Sequence, residues 1–355
     1  MVVKSKNRVL DVVIILVILG ITIIYGGATN NFDYETFKWS YEGLINTNFE
    51  PGYKLIETLF ANLNVSYNFF RLCIAVISIT LVSISVNKFI EKKYKLLFYI
   101  SFFFVTVPFF AYSLRSAIAF SIIMYAFTKL IVGKKMDKFL YFILIIIAMQ
   151  FHISTVIFLL FLLVPKYKSK NVMSSYIFLY MFFSAILLMT ISDSILLFFI
   201  NVIFDLVLIP LGVSESKLDY TLIEVRFGFI LFSISQLGFV TVLYFVKTRM
   251  KIDIERTDSI GILKIKLHHF VLYSSYLMFL VIPLMRLNTE YSRLIRGISP
   301  LYYLAIFSSL SLLSNKSRKT TIIITTIVTI VNLLIYVFPY LNETFYPLFR
   351  DNWIF

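Results

Sequence analysis

Apolar residues fall along this chain in long blocks separated by short polar breaks. The blocks lie at roughly 9–27, 66–87, 96–112, 114–133, 139–164, 173–191, 194–211, 226–246, 269–285, 297–314 and 320–338. A helix that crosses the ~30 Å hydrocarbon core of a bilayer needs ~20 such residues. The pattern therefore predicts an all-α polytopic membrane protein with about eleven transmembrane helices, within a range of about ten to twelve. No fixed-period repeat and no soluble domain interrupts it, so residues 1–355 read as one integral membrane domain.

The longest non-apolar stretch, about 28–65, is too short for a domain but long enough for a re-entrant or interfacial helix. Pro51 suits the first turn of such a helix, running to about Asn62. Glu50 stands at its N-terminus, where a carboxylate is favoured.

Composition agrees with the pattern. The chain is 59% hydrophobic and 15% charged, against about 45–50% and about 25% in soluble domains. Its mean hydropathy is +0.88. A secreted enzyme, a cytosolic binding module and a nucleic-acid-binding protein are excluded, because so much apolar surface has no place in water. The net charge of +14 then reads as the positive-inside rule rather than as a polyanion partner. Cys73 is the sole cysteine and carries no redox signal.

Charge sorts the two sides. Lys4, Lys6 and Arg8 precede the first apolar block, which has no small-x-small cleavage site after it. It is expected to be a retained helix with a cytoplasmic N-terminus. Basic clusters at 88–95, 134–138, 247–266 and 316–319 read as cytoplasmic, and the tail from about Pro339 as external. Lys166, Lys168 and Lys170 break the rule if 139–164 is one crossing. The alternative is two half-helices of about 13 residues, ~20 Å each, turning back near Phe151 and His152. The single long helix is the preferred expectation, because each half is short of the core thickness.

Lysine and arginine separate in a way the positive-inside rule does not explain, since it treats them alike. Most lysines face the cytoplasm. Arg71, Arg115, Arg226, Arg286, Arg293, Arg296 and Arg350 lie at or near the outer face. The guanidinium fork grips phosphate and carboxylate bidentately, so the set suggests an anionic ligand such as a lipid pyrophosphate. Ion pairing with outer acids (Asp33, Glu35, Glu50, Glu224, Glu290) or with headgroups is the plainer reading. Arg115 is the most informative, because it sits between two apolar runs with almost no loop, where a charge is costly.

His152 lies with Gln150, Ser154 and Thr155 in a polar step of a greasy segment. It is either a hydrogen-bonded structural group or a proton-transfer group. His268 and His269 read as interfacial. Trp39, Tyr41, Tyr53 and Tyr67 fit a membrane-interface belt and equally fit sugar stacking. Metal-enzyme, P-loop, hydrolase and dinucleotide signatures are missing from the sequence. No metal and no cofactor is expected, and any glycosyl transfer would have to use a lipid-linked donor.

An outer loop with Asp33-Tyr34 and Glu50-Pro51-Gly52-Tyr53 is followed by Leu114-Arg115-Ser116-Ala117-Ile118-Ala119. A basic turn and Phe151-His152-Ile153-Ser154-Thr155 come next. This order resembles the EpsG-like branch of Wzy-type polysaccharide polymerases, which serve O-antigen, capsule and exopolysaccharide synthesis. The motif-bearing region is about residues 25–165. Beyond it, the late Tyr346-Pro347 and the general character match. Ser116 stands where the family often has glutamine, which leaves the role of that position open.

The resemblance implies a GT-C-like helical architecture and a metal-independent glycosyltransferase in a bacterial cytoplasmic membrane, acting on its outer face. It would extend a glycan from an undecaprenyl-pyrophosphate-linked donor onto a lipid-linked acceptor, with a chain-length regulator as a further partner. In that reading Arg115, with one or more of Arg286, Arg293 and Arg296, holds the pyrophosphate. Glu50 or His152 takes the acceptor proton, and Asp33 and Tyr53 hold sugars. A lipid-linked oligosaccharide flippase and a membrane O-acyltransferase are the rival readings. The first would more often carry internal two-fold similarity. The second would carry a histidine-plus-acid motif near the first helices.

Overall fold

The computed structural model describes residues 2–132, 136–164, 228–250, 259–282, 285 and 291–355. In chain order the main helices are α1 (Val2–Gly27), α2 (Tyr34–Tyr41), α3 (Pro51–Asn62), α4 (Tyr67–Phe89), α5 (Lys92–Val105), α6 (Val107–Tyr112), α7 (Leu114–Val132) and α8 (Asp137–Met149). A 3-10 helix at Ile153–Leu163 follows. Then come α9 (Gly228–Arg249), α10 (Ser259–Leu277), α11 (Ser292–Ser309) and α12 (Asn315–Tyr336). Among the described residues there is no strand, only an isolated bridge between Ala28 and Asn352.

Five segments among the described residues are long and apolar enough to cross a membrane: Arg8–Gly27, Tyr67–Phe89, Leu114–Ile131, Ile230–Arg249 and Asn315–Leu348. The protein is therefore a multi-pass helical membrane protein. The expected segments at 173–191 and 194–211 lie outside the described residues, as do Lys166, Lys168, Lys170, Arg226 and Arg286.

Two expected helices are interrupted. The block 96–112 begins earlier, at Lys92, and breaks at Thr106. Pro108 explains the break, because it has no N–H to continue the ladder and its ring crowds the preceding turn. The block 139–164 is not one straight helix. α8 stops at Met149, His152 adopts an extended backbone (φ −156°, ψ 104°), and the chain restarts as the 3-10 helix. The Tyr141 hydroxyl donates to the Phe158 carbonyl at 2.6 Å. In a continuous helix those residues would stand ~25 Å apart, so the chain turns back at Gln150–His152. The expectation of a single long helix is corrected accordingly.

Helix α7 occupies the middle of the described bundle, packed against α4, α8 and α11. α9 packs on α12, and α10 on α11. The two ends of the bundle differ in chemistry. At one end Lys92 pairs with Asp11 at 2.6 Å, Lys264 pairs with Glu91 at 2.8 Å, and the Arg318 guanidinium lies over Tyr94. Three basic clusters therefore share this end.

At the other end the tail is stitched to the end of α1. The Thr29 amide donates to the Asp351 carbonyl at 2.7 Å, and the Trp353 amide to the Gly27 carbonyl at 3.0 Å. The Phe32 amide reaches the Glu343 carbonyl at 3.3 Å. The non-apolar stretch 28–65 therefore sits at the end opposite the lysines. Within it α3 presents Leu55 and Leu59 outward, with Leu63 just beyond. A helix over these residues is as expected near 52–63, and apolar residues one turn apart on an exposed face are the pattern of an interfacial helix.

Candidate functional site

The site forms where three separate stretches meet: the start of α3, the corner between α6 and α7, and the turn between α8 and the 3-10 helix. The approach of α3 depends on Gly52. A Cβ there would lie 2.6 Å from the Gln150 Cβ and 2.8 Å from its carbonyl oxygen. Without it, the Tyr53 amide donates to the Gln150 carbonyl at 3.1 Å. Pro51 starts the helix without needing an acceptor for an amide hydrogen.

Glu50 precedes α3, but its side chain makes no capping bond to that helix. The expected capping role is replaced by two others. Oε1 accepts the Ile153 amide at 3.3 Å, the first amide of the 3-10 helix. Oε2 accepts a hydrogen bond from Arg115 Nη1 in an ion pair. The carboxylate side chain is 5% exposed and the guanidinium 18%. Both charges thus sit in a poorly hydrated place, where each would be costly alone.

Arg115 stands in the first turn of α7, where the helix dipole is already positive. Glu50 offsets that excess. The guanidinium lies against the stacked pair Phe49 and Phe37, with ring centroids 4.4 and 5.6 Å from Cζ. Arg115 is thus held by aromatic rings and by one carboxylate, and its guanidinium fork is of the geometry that suits phosphate oxygens as well as carboxylate.

His152 forms the turn itself and is partly exposed. Its ring lies 6.2 Å from that of Phe120. Phe120 in turn packs onto Gly297 of α11, where a Cβ would collide with the ring. Glu50 therefore meets Arg115, 65 positions along the chain, and the His152 turn through the Ile153 amide, 103 positions along.

The expected pyrophosphate arginines divide. Arg286 lies outside the described residues. Arg293 stands in the first turn of α11, one turn before Arg296. Arg296 donates to the Tyr112 hydroxyl at 2.6 Å and to Ser292 Oγ at 3.0 Å. The rings of Phe109, Tyr336 and Tyr112 surround its guanidinium at 5.2–6.0 Å. Pro300 cannot donate to the Arg296 carbonyl, which accepts from Ser299 Oγ at 2.8 Å instead. A narrow crevice lined by Arg296, Tyr112, Phe109, Tyr336 and Thr344, closed to a water-sized molecule, lies beside it. Tyr112 is three residues before Arg115, so the two arginines flank one helix corner.

The sugar-holding residues fare differently. Asp33 immediately precedes α2 at the outer-loop end. Tyr53 is fully buried among Phe37, Phe49 and Phe70. Burial pushes its phenol well above the ordinary value, further raised by Tyr67 and Glu57 and opposed by Arg115 and Arg71. Tyr53 is a neutral wall residue behind Arg115, and the expected sugar contact does not fit that placement. Trp39 by contrast is exposed. Among the described residues no group of three or more His, Cys, Asp or Glu side chains could hold a metal.

Sequence reasoning missed Phe37, Phe49, Tyr112 and Gly52. Only Gly52 carried a signal, as the small residue inside Glu50-Pro51-Gly52-Tyr53. No curated protein and no solved structure matches the chain. The family model for the EpsG family matches residues 11–349, nearly the whole length, and the chain belongs to that family.

Proposed function

We propose that the protein is a glycosyltransferase that polymerises lipid-linked oligosaccharide repeat units. The donor is an undecaprenyl-pyrophosphate-linked glycan and the acceptor the next such repeat. Membership of the EpsG family supports a polysaccharide-polymerase-like role in general. The observation that carries the finer reading is the Glu50–Arg115 pair at the His152 turn. The lysine-rich end is assigned to the cytoplasm by the positive-inside rule. The pair then faces the outer surface of the cytoplasmic membrane, where lipid-linked repeats await polymerisation.

In the mechanism, donor pyrophosphate oxygens compete with Glu50 Oε2 for the Arg115 guanidinium. The bidentate fork suits phosphate as well as carboxylate. Displacement frees the Glu50 carboxylate beside the bound donor. The acceptor hydroxyl attacks the anomeric carbon, and its proton passes to Glu50. The bond from that carbon to the pyrophosphate oxygen breaks, and Arg115 stabilises the negative charge that develops there. Arg296, and Arg286 and Arg293 near it in sequence, hold the second phosphate-bearing headgroup. Asp33 sits where a hydrophilic sugar arrives. No metal enters this scheme, because the guanidinium supplies the charge. His152 is the alternative base and shapes the turn that orients Glu50. A chain-length regulator is the partner such a polymerase would need.

The test is the length of the lipid-linked glycan in a strain deleted for the gene. Single repeats exposed on the outer face are expected. Repeats trapped on the cytoplasmic face would point to a flippase instead.

A further inference from the structure

Arg71 is the largest side chain with no exposed surface among the described residues. It stands in the first turns of α4, and no carboxylate reaches it among the described residues. A cation in such a place is expensive unless something specific holds it. Its Nη2 donates to the Ala111 carbonyl at 3.0 Å and its Nη1 faces the Tyr67 hydroxyl at 3.5 Å. The rings of Tyr34 and Tyr67 lie 5.2 and 5.8 Å from Cζ. Asn31 Nδ2 donates to the same Ala111 carbonyl at 3.0 Å.

Ala111 lies in the last turn of α6, where carbonyls lack helical partners. Four residues later comes Arg115. Ser113, between them, has a non-helical backbone (φ −119°, ψ 76°), so the corner has a joint. Both anchors lie on the α6 side of that joint: Arg296 donates to the Tyr112 hydroxyl, and Arg71 and Asn31 donate to the Ala111 carbonyl. Arg71 also ties Tyr34 of the outer loop to this corner. Tyr34 opens α2, whose Phe37 stacks on Phe49 beside Glu50, so the contact reaches the Glu50 stretch through α2.

We propose that Arg71 is a positioning residue for Arg115. It takes no part in ligand contact and acts by holding the α6–α7 corner through the Ala111 carbonyl. This rests on the reading of Arg115 as an acting residue. A displacement of about 1 Å at a catalytic group costs on the order of 10²-fold in rate.

The test uses full-length protein in nanodiscs, with Arg71→Lys, Arg71→Met and Asn31→Ala. Methionine replaces a buried cation by an apolar chain of similar length, a change that buried sites often tolerate. Asn31→Ala loosens the same carbonyl more gently. Two readouts are taken. Hydrogen exchange of the peptide spanning 110–118 is expected to speed up at least 10-fold in Arg71→Met and less in Asn31→Ala. Chain-extension kcat is expected to fall 10- to 100-fold in Arg71→Met and less in Arg71→Lys, with KM within about 3-fold.

Unchanged exchange at 110–118 in both Arg71→Met and Asn31→Ala would overturn the proposal, whatever the activity. So would a loss of activity that merely tracks the loss of folded protein. A wild-type protein inactive on lipid-linked repeats, with exchange altered as expected, would count against the polymerase reading and leave the corner assignment standing.

Discussion

Replacing Gly52 by alanine puts a single methyl group into the narrowest contact of the site. Helix propensity alone would favour the change by up to about 1 kcal/mol, since glycine is the costlier residue inside a helix. Packing opposes it. The new Cβ would sit 2.6 Å from the Gln150 Cβ and 2.8 Å from the Gln150 carbonyl oxygen. Ordinary contact begins near 3.4 Å, so α3 and the Gln150–His152 turn must separate by nearly 1 Å. The bond from the Tyr53 amide to the Gln150 carbonyl lies on that path and is strained or lost. Overpacking of this kind costs about 1–3 kcal/mol, and a lost backbone bond about 1 kcal/mol more.

The net expectation for Gly52→Ala is a destabilisation of about 1–3 kcal/mol. Activity should suffer more than stability. Glu50 lies two residues away and reaches across the same gap to Ile153 and Arg115. Moving it by about 1 Å should lower chain extension on the order of 10²-fold. Glycan length in a deletion strain carrying the variant reads the activity, and thermal unfolding in detergent reads the stability. A wild-type glycan ladder together with an unchanged or raised Tm would refute the close-approach argument.

Three further outcomes follow from the same geometry. Glu50→Gln leaves one oxygen to serve two donors and removes proton acceptance, so it should cost on the order of 10²–10⁴ in rate, while His152→Gln should cost far less; the reverse order in purified protein would move the base to His152. Glu91, in the lysine-rich end, is pulled two ways: burial works to raise its pKa, but hydrogen bonds from Lys264, Ser311 and Lys93 and the charge of Lys264 outweigh it and lower it to about 2. Its folded value lies below the unfolded one of about 4.3, so its contribution is complete above pH ~4.5 and is lost as pH falls toward 2. Glu91→Gln should therefore show a smaller fall in Tm than wild type between pH 7 and pH 3, and an equal fall would remove Glu91 from the acid response. On a Cys73→Ser background, Asn46→Cys should label from outside intact cells and Ser259→Cys should not; external labelling at Ser259 would reverse the orientation.

The sequence was legible where a residue's chemistry conflicts with its surroundings. Arg115 between two apolar runs and the polar step at His152 mark themselves, because charge and polarity are costly there. Pro51 gave the start of α3 to within a residue, since proline fits only a helix start. Long uniform apolar blocks carried less. Hydropathy is the same for one helix and for a tight pair of half-helices, so the turn at 150–152 had no signature beyond Gln150 and His152. Pro108 is the sequence mark of the break at Thr106.

Burial was the least legible quantity. An aromatic residue in an outer loop suits both an interface belt and a core, and Tyr53 proved to be core. Arg71 looked like one more outer arginine, yet it is wholly enclosed. Its partner is a backbone carbonyl, which no sequence pattern displays. The pairing of Glu50 with Arg115 was likewise hidden by a separation of 65 positions.

Chain extension by purified protein in nanodiscs, on defined undecaprenyl-pyrophosphate-linked repeat units, tests the central assignment most directly. Wild type should convert single repeats into a ladder, releasing one undecaprenyl pyrophosphate for each bond formed. Arg115→Ala should leave single repeats, and Arg115→Lys should recover little, because an ammonium cannot reproduce the fork. Both variants must be monodisperse and inserted as wild type is. A full ladder at the wild-type rate from Arg115→Ala would contradict the placement of the active site at the Glu50–Arg115 pair.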